Sequence, residues 1–107
     1  MTTFNSREDG FEAKFAHDEE IQFKARARRD RLIGHWAAMR LGLEGAAAEA
    51  YAKSLVALEF EADPNRAIVI KLHADLAADH LGDTEAQIAA KLDELMATAL
   101  VQVKAGV

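Results

Sequence analysis

The sequence predicts an all-α fold: a small four-helix bundle with a flexible N-terminal arm that extends the first helix. Three observations lead there. Proline occurs once in 107 residues while alanine, the best helix former, is abundant. β-branched residues never gather into alternating runs between turn signals. Three short breaks cut the chain into segments, and each segment carries apolar residues at helical spacing. A chain of this length has one core. The breaks are a few residues long, so successive helices are expected to lie antiparallel.

The first helix ends at Gly42-Leu43-Glu44-Gly45, two glycines that stop one helix and let the next begin. Its stripe is Ala25, Leu32, Trp36 and Met39, with Ile33 beside it. In the second helix Ala48, Tyr51, Leu55 and Leu58 share a face. Its alanine-rich start, GAAAEAYA, invites close approach by a neighbour, with Trp36 as the large residue opposite. Alanine as a plain helix former explains the same run. Asp63-Pro64 opens the third helix, with Asp63 as N-cap and Pro64 in the first helical position. Val69, Leu72 and Leu76 form its stripe. Gly82-Asp83-Thr84 closes the third helix at glycine and caps the fourth. Thr84 and Gln87 have capping-box spacing, and Ile88, Leu92, Leu95, Ala99 and Val103 make the most regular stripe of the chain.

Residues from about 20 to 104 therefore supply four helices and a sufficient core, which leaves the start of the chain in surplus. It reads MTTFNSREDGFEAKFAHDEE. Phe4, Phe11 and Phe15 fall on one narrow stripe among charges. As an isolated helix the stretch is weak. Gly10 costs about 1 kcal/mol relative to alanine, Glu8 and Glu12 repel one turn apart, and Lys14–Asp18 runs in the less favourable order. The expected organisation is an arm over residues 1–18, disordered when free and helical on a partner, followed by a bundle domain over residues 19–107. The competing arrangement folds the phenylalanines back onto the bundle.

The next block, EEIQFKARARRDRL, carries charge on nearly every face and reads as a solvated stem, with Lys24, Arg28 and Arg31 along one side and a favourable Glu20–Lys24 pair. A sharper reading makes those three a collar for a protein partner or for the phosphates of weakly bound ADP or ATP. The four histidines lack metal-site spacing: His73 and His80 lie about 10 Å apart along a helix, and HDEE has no second histidine one turn on. His35 lies beside Trp36, where packing suits it better than ligation. His17 stands at the junction of arm and stem, where its charge can change near neutral pH.

Composition excludes several function classes. With no cysteine there is no disulfide framework, thiol nucleophile or cysteine-ligated metal site. Thirteen basic against 18 acidic residues leave a net charge of −5, which argues against nucleic-acid binding. No phosphate-cradling glycine loop, nucleophile elbow or convergent acid–base set is present, so no enzyme is expected. The start lacks the pattern of a secretory signal and no run is long enough to span a membrane. A soluble protein without membrane insertion is the expectation.

The stretches REDGFEAKFAHDEE, FKARARRDRLIGHWAAMRLGL and GAAAEAYAKSLV resemble the signature segments of the bacterial zeta subunit, the inhibitor of the F-type ATP synthase. The likeness is strongest over the first half; beyond it the helix pattern and the ending LDELMATAL carry it. The resemblance implies that the arm enters a catalytic interface between an α and a β subunit of the synthase head, folds into a helix reaching towards the γ rotor, and blocks rotation in the hydrolytic direction. Phe4, Phe11 and Phe15 would anchor it, and Arg7, Glu8, Glu12, Lys14, Asp18 and Glu19, with His17 beside them, would meet subunit charges. The bundle would dock outside and limit entry. The free protein would be monomeric and cytoplasmic, held near the membrane only through the synthase head. Asn5-Ser6 and Asp9-Gly10 depart from the acidic and Lys-Ala-like residues usual there, which weakens the helix start and middle. A helical adaptor or nucleotide-responsive regulator acting on another complex through the same arm is the alternative.

Overall fold

The computed structural model describes the backbone of residues 3–107 and the side chains of residues 14–107. The fold is all-α, with α1 (Thr3–Arg40), α2 (Gly45–Val56), a short 3-10 helix (Ala57–Phe60), α3 (Pro64–Ala78) and α4 (Glu85–Lys104). The capping expectations for α3 and α4 hold atom by atom. The Asp63 carboxylate accepts from the Arg66 N–H at 3.2 Å, with Pro64 at the first position. Thr84 and Gln87 exchange both bonds of a capping box, at 3.1 and 2.9 Å.

The helix ends show two differences from expectation: α2 stops at Val56, so that Leu58 falls in the 3-10 helix, and α3 stops before its glycine. α1 closes through Gly42, which takes a left-handed φ of 77° while Leu43 N–H bonds back to Ala38. α3 ends in the same motif two residues before its glycine. His80, at φ 59°, stands where glycine was expected, with Leu81 N–H bonded to the Leu76 carbonyl at 2.9 Å. The bond pattern of the last turn, rather than glycine's tolerance, sets where this helix stops.

α1 is the central element. α2 and α4 both pack along it in antiparallel sense: His35 approaches Glu49, Gly34 meets Ala52 and Arg29 reaches Glu59, just past the end of α2, on one side, while Arg28 reaches Gln102 and Arg40 reaches Asp83 on the other. α3 closes the bundle against the 3-10 helix and α4. It is tied to α2 by the Tyr51 hydroxyl, which donates to Asp75 at 2.7 Å, and by Lys71, which bonds Asp75 and lies over the Tyr51 ring. Burial and the carboxylate it faces push the Tyr51 phenol well above its ordinary range. Arg66 and Glu85, in the first turns of α3 and α4, pair at 3.0 Å, so the two helix starts lie together instead of at opposite ends as an antiparallel pair would put them.

The core comprises Ile33, Ala37, Leu55, Ile68, Val69, Leu72, Leu76, Ile88 and Leu92, with Trp36, Tyr51, Leu58 and Leu95 packed against it. The stripes of α3 and α4 fall where the spacing puts them. That of α1 is rotated: its buried seam is Ala25, Arg29, Ile33 and Ala37, each one turn on, while Met39 is 78% exposed. The close approach of α2 is made at Gly34, not opposite Trp36. A Cβ built on Gly34 would lie 2.6 Å from the Ala52 Cα. The indole instead faces α4, with Lys91 and Arg40 over its ring.

Candidate functional site

The segment that sequence singled out continues α1 past the bundle. Every side chain from Lys14 to Glu20 is exposed, and among the described side chains the first buried one is Ala25. Phe15 is 61% exposed, so at this position the aromatic does not fold back onto the bundle. Lys14, His17, Asp18 and Glu19 surround it in the same exposed turns. Phe4, Arg7, Glu8, Phe11 and Glu12 lie outside the described side chains. Phe15 is thus an apolar side chain that its own bundle leaves uncovered, with charged side chains beside it on the same helix.

The basic residues of the stem have separate partners. Lys24 pairs with Glu20 at 2.8 Å and, as hydrogen-bond donor and charge, holds that carboxyl below its usual range. Arg28 turns towards α4 and donates to Gln102 Oε1 at 3.4 Å. Arg31 pairs with Glu49 of α2, a carboxylate that His35 Nε2 also approaches at 3.3 Å. The groove beside Lys24 and Arg28 is about 390 Å³ and is lined by Phe23, Ala27, Val103 and Val107 as well. Among the described residues no group of His, Asp and Glu side chains is placed to hold a metal ion.

The stem is not solvated throughout, as the charge pattern suggested. Arg29 and Asp30 are 4% and 0% exposed. The Arg29 guanidinium bonds Asp30 at 3.0 Å and reaches Glu59 of the 3-10 helix at 3.5 Å, and Arg26 meets the other Glu59 oxygen at 3.2 Å. The second Asp30 oxygen is buried without a partner. Burial, then the facing Glu59 carboxyl, push Asp30 up to about 8 against the opposing pull of Arg29. This cluster locks the 3-10 helix onto α1. The signal that reveals it in the sequence is the i, i+4 series: Arg29 stands between Ala25 and Ile33 on the buried seam, where a charge needs a partner.

The family model for ATPase inhibitor subunit zeta matches residues 1–102, which is nearly the whole chain and includes both the projection and the bundle. The chain belongs to the zeta family. The role of a zeta subunit is inhibitory and not catalytic, and the ATP synthase is the partner that the family's description implies. No curated protein matches the chain significantly. Among the described residues, no helix is long and apolar enough to cross a membrane.

Proposed function

We propose that this zeta subunit inhibits ATP hydrolysis by inserting its N-terminal segment as a helix into a catalytic α/β interface of the F-type synthase head, where it blocks rotation of the γ subunit. Residues 1–18 are the inhibitory arm and residues 19–107 its mount, on the cytoplasmic side of the membrane. The observation that carries this reading is the exposed run Lys14–Glu20, which includes Phe15, on a helix whose first buried side chain among the described residues is Ala25. Such a projection offers an apolar anchor with nothing in its own bundle to bury it. Ordering of the arm on binding keeps affinity moderate and the brake reversible.

The mechanism is steric and electrostatic. Phe4, Phe11 and Phe15 supply buried area in the interface. Lys14, Asp18 and Glu19 set register through charge pairing, and the bundle, too wide to follow, fixes the depth of entry. The test is ATP hydrolysis by the cognate synthase head in the presence of the full chain or of a chain lacking residues 1–18. Inhibition by the full chain alone is expected. Equal inhibition by both would overturn the role of the arm. Absence of inhibition by either would point to another complex as the target.

A further inference from the structure

Phe60, the last residue of the 3-10 helix, is 86% exposed. An aromatic standing that far out of a small bundle gains nothing from its own fold. Its place is fixed: the preceding residue, Glu59, is clamped by Arg26 and Arg29 of α1. Arg26 lies 11 residues after Phe15, and at 100° per residue the two differ by about 20° around the helix. The 3-10 helix therefore sits against the side of α1 from which Phe15 emerges, about 16 Å further along the axis. Between them that face carries exposed Glu19 and Gln22. Beyond Phe60 follow Glu61, Ala62 and Asp63, all exposed. One side of the molecule thus presents an apolar anchor on the projection and a second on a rigid acidic shoulder.

We propose that the Phe60 shoulder is a second docking point for the same subunit that receives the arm, and that its occupant is an apolar recess with a basic rim on that subunit's outer surface. The proposal rests on the arm being the inhibitory segment. Two features argue for this occupant: the shoulder continues the face of the projection, and Glu61 and Asp63 beside Phe60 call for positive charge opposite. A surface bound along the Phe15 side cannot extend towards the bundle without meeting the shoulder. Contact there sets how far the arm enters and adds to residence time, because the two anchors are linked by a continuous helix.

The test compares full-length chains carrying Phe60→Ala, Phe60→Leu, Glu61→Lys or Phe15→Ala in inhibition of ATP hydrolysis, with release followed after dilution. Phe60→Ala is expected to raise the half-inhibitory concentration by on the order of ten-fold, mainly through faster release. Phe60→Leu should restore most of the effect, and Glu61→Lys should weaken inhibition most at low salt. Melting temperature and helicity should stay unchanged in all of them, since none of these side chains is buried. Loss of inhibition with Phe15→Ala but none with Phe60→Ala would leave the arm standing and overturn the shoulder. A full chain that does not inhibit would overturn both.

Discussion

Asp30 makes the bundle's stability depend on pH in an unusual direction. Its carboxyl is fully buried, one oxygen lacks a partner, and Glu59 faces it, so the fold favours the protonated form up to about 8. In the unfolded chain the same group loses its proton near the ordinary aspartate value of about 3.9. Between these values the native state binds more protons than the unfolded one, and stability falls as pH rises. The contribution is complete below about 4 and lost once pH passes about 8. Each pH unit within that window costs up to about 1.4 kcal/mol. A change from about pH 5.5 to 7.5 thus costs on the order of 2 kcal/mol or less. For a chain of this size that is a fall in melting temperature of about 5–10 °C. Thermal melts by circular dichroism should be run across this range on the natural chain and on Asp30→Asn. The amide keeps the size of the side chain at this buried position but does not ionise. Asp30→Asn should therefore melt with a flatter pH dependence and be the more stable protein at the alkaline end. Every other ionisable group is shared by the two proteins, so the comparison isolates position 30. Parallel curves for the two would refute the reasoning.

Other substitutions test the packing and the arm. Gly34→Ala would drive a methyl to within 2.6 Å of the Ala52 backbone, so α1 and α2 must separate; a loss of about 2–3 kcal/mol in denaturant unfolding is expected. His80→Gly relieves the left-handed φ of 59° at an exposed site and should stabilise by about 0.5–1 kcal/mol. Tyr51→Phe removes the bond to Asp75 between α2 and α3 and should cost about 1 kcal/mol by the same assay. Gly10→Ala raises helix propensity in the arm by about 1 kcal/mol and should lower the half-inhibitory concentration roughly five-fold in the ATP hydrolysis assay. Equal or weaker inhibition would show that bound-helix stability does not limit potency.

The sequence was most informative where a local rule decides the structure. Asp63-Pro64 and the Thr84–Gln87 pair act within one turn, so helix starts could be read directly. The stripes of α3 and α4 are apolar without interruption and gave their buried faces. Along α1 the same reading failed because its seam runs through Arg29, Asp30 and Gly34, which hydropathy places outside. A buried ion cluster is legible only when its partner is known, and Glu59 lies 30 residues away on an element that local propensity does not distinguish from the end of α2. His80 misled for a related reason: the Schellman bonds select the position, and an exposed histidine tolerates the conformation. Of the candidate site, the exposure of Lys14 to Glu19 agrees with a projection beyond the bundle, whereas Phe60 carried no signal, since exposure of a lone aromatic depends on tertiary context.

The path of α1 has a mechanical consequence. From Lys14 to Ile33 the helix contains neither glycine nor proline, the residues at which helices bend sharply. It passes from the exposed projection into the seam held by Gly34–Ala52 and by the Arg26–Arg29–Glu59 clamp without a joint. A load applied near Phe15 is not absorbed by a hinge; the shaft delivers it as torque to the 3-10 helix and α2. The bundle then works as a flange, and the weakest of these side-chain contacts, not the backbone of the projection, sets the force at which the whole device gives way.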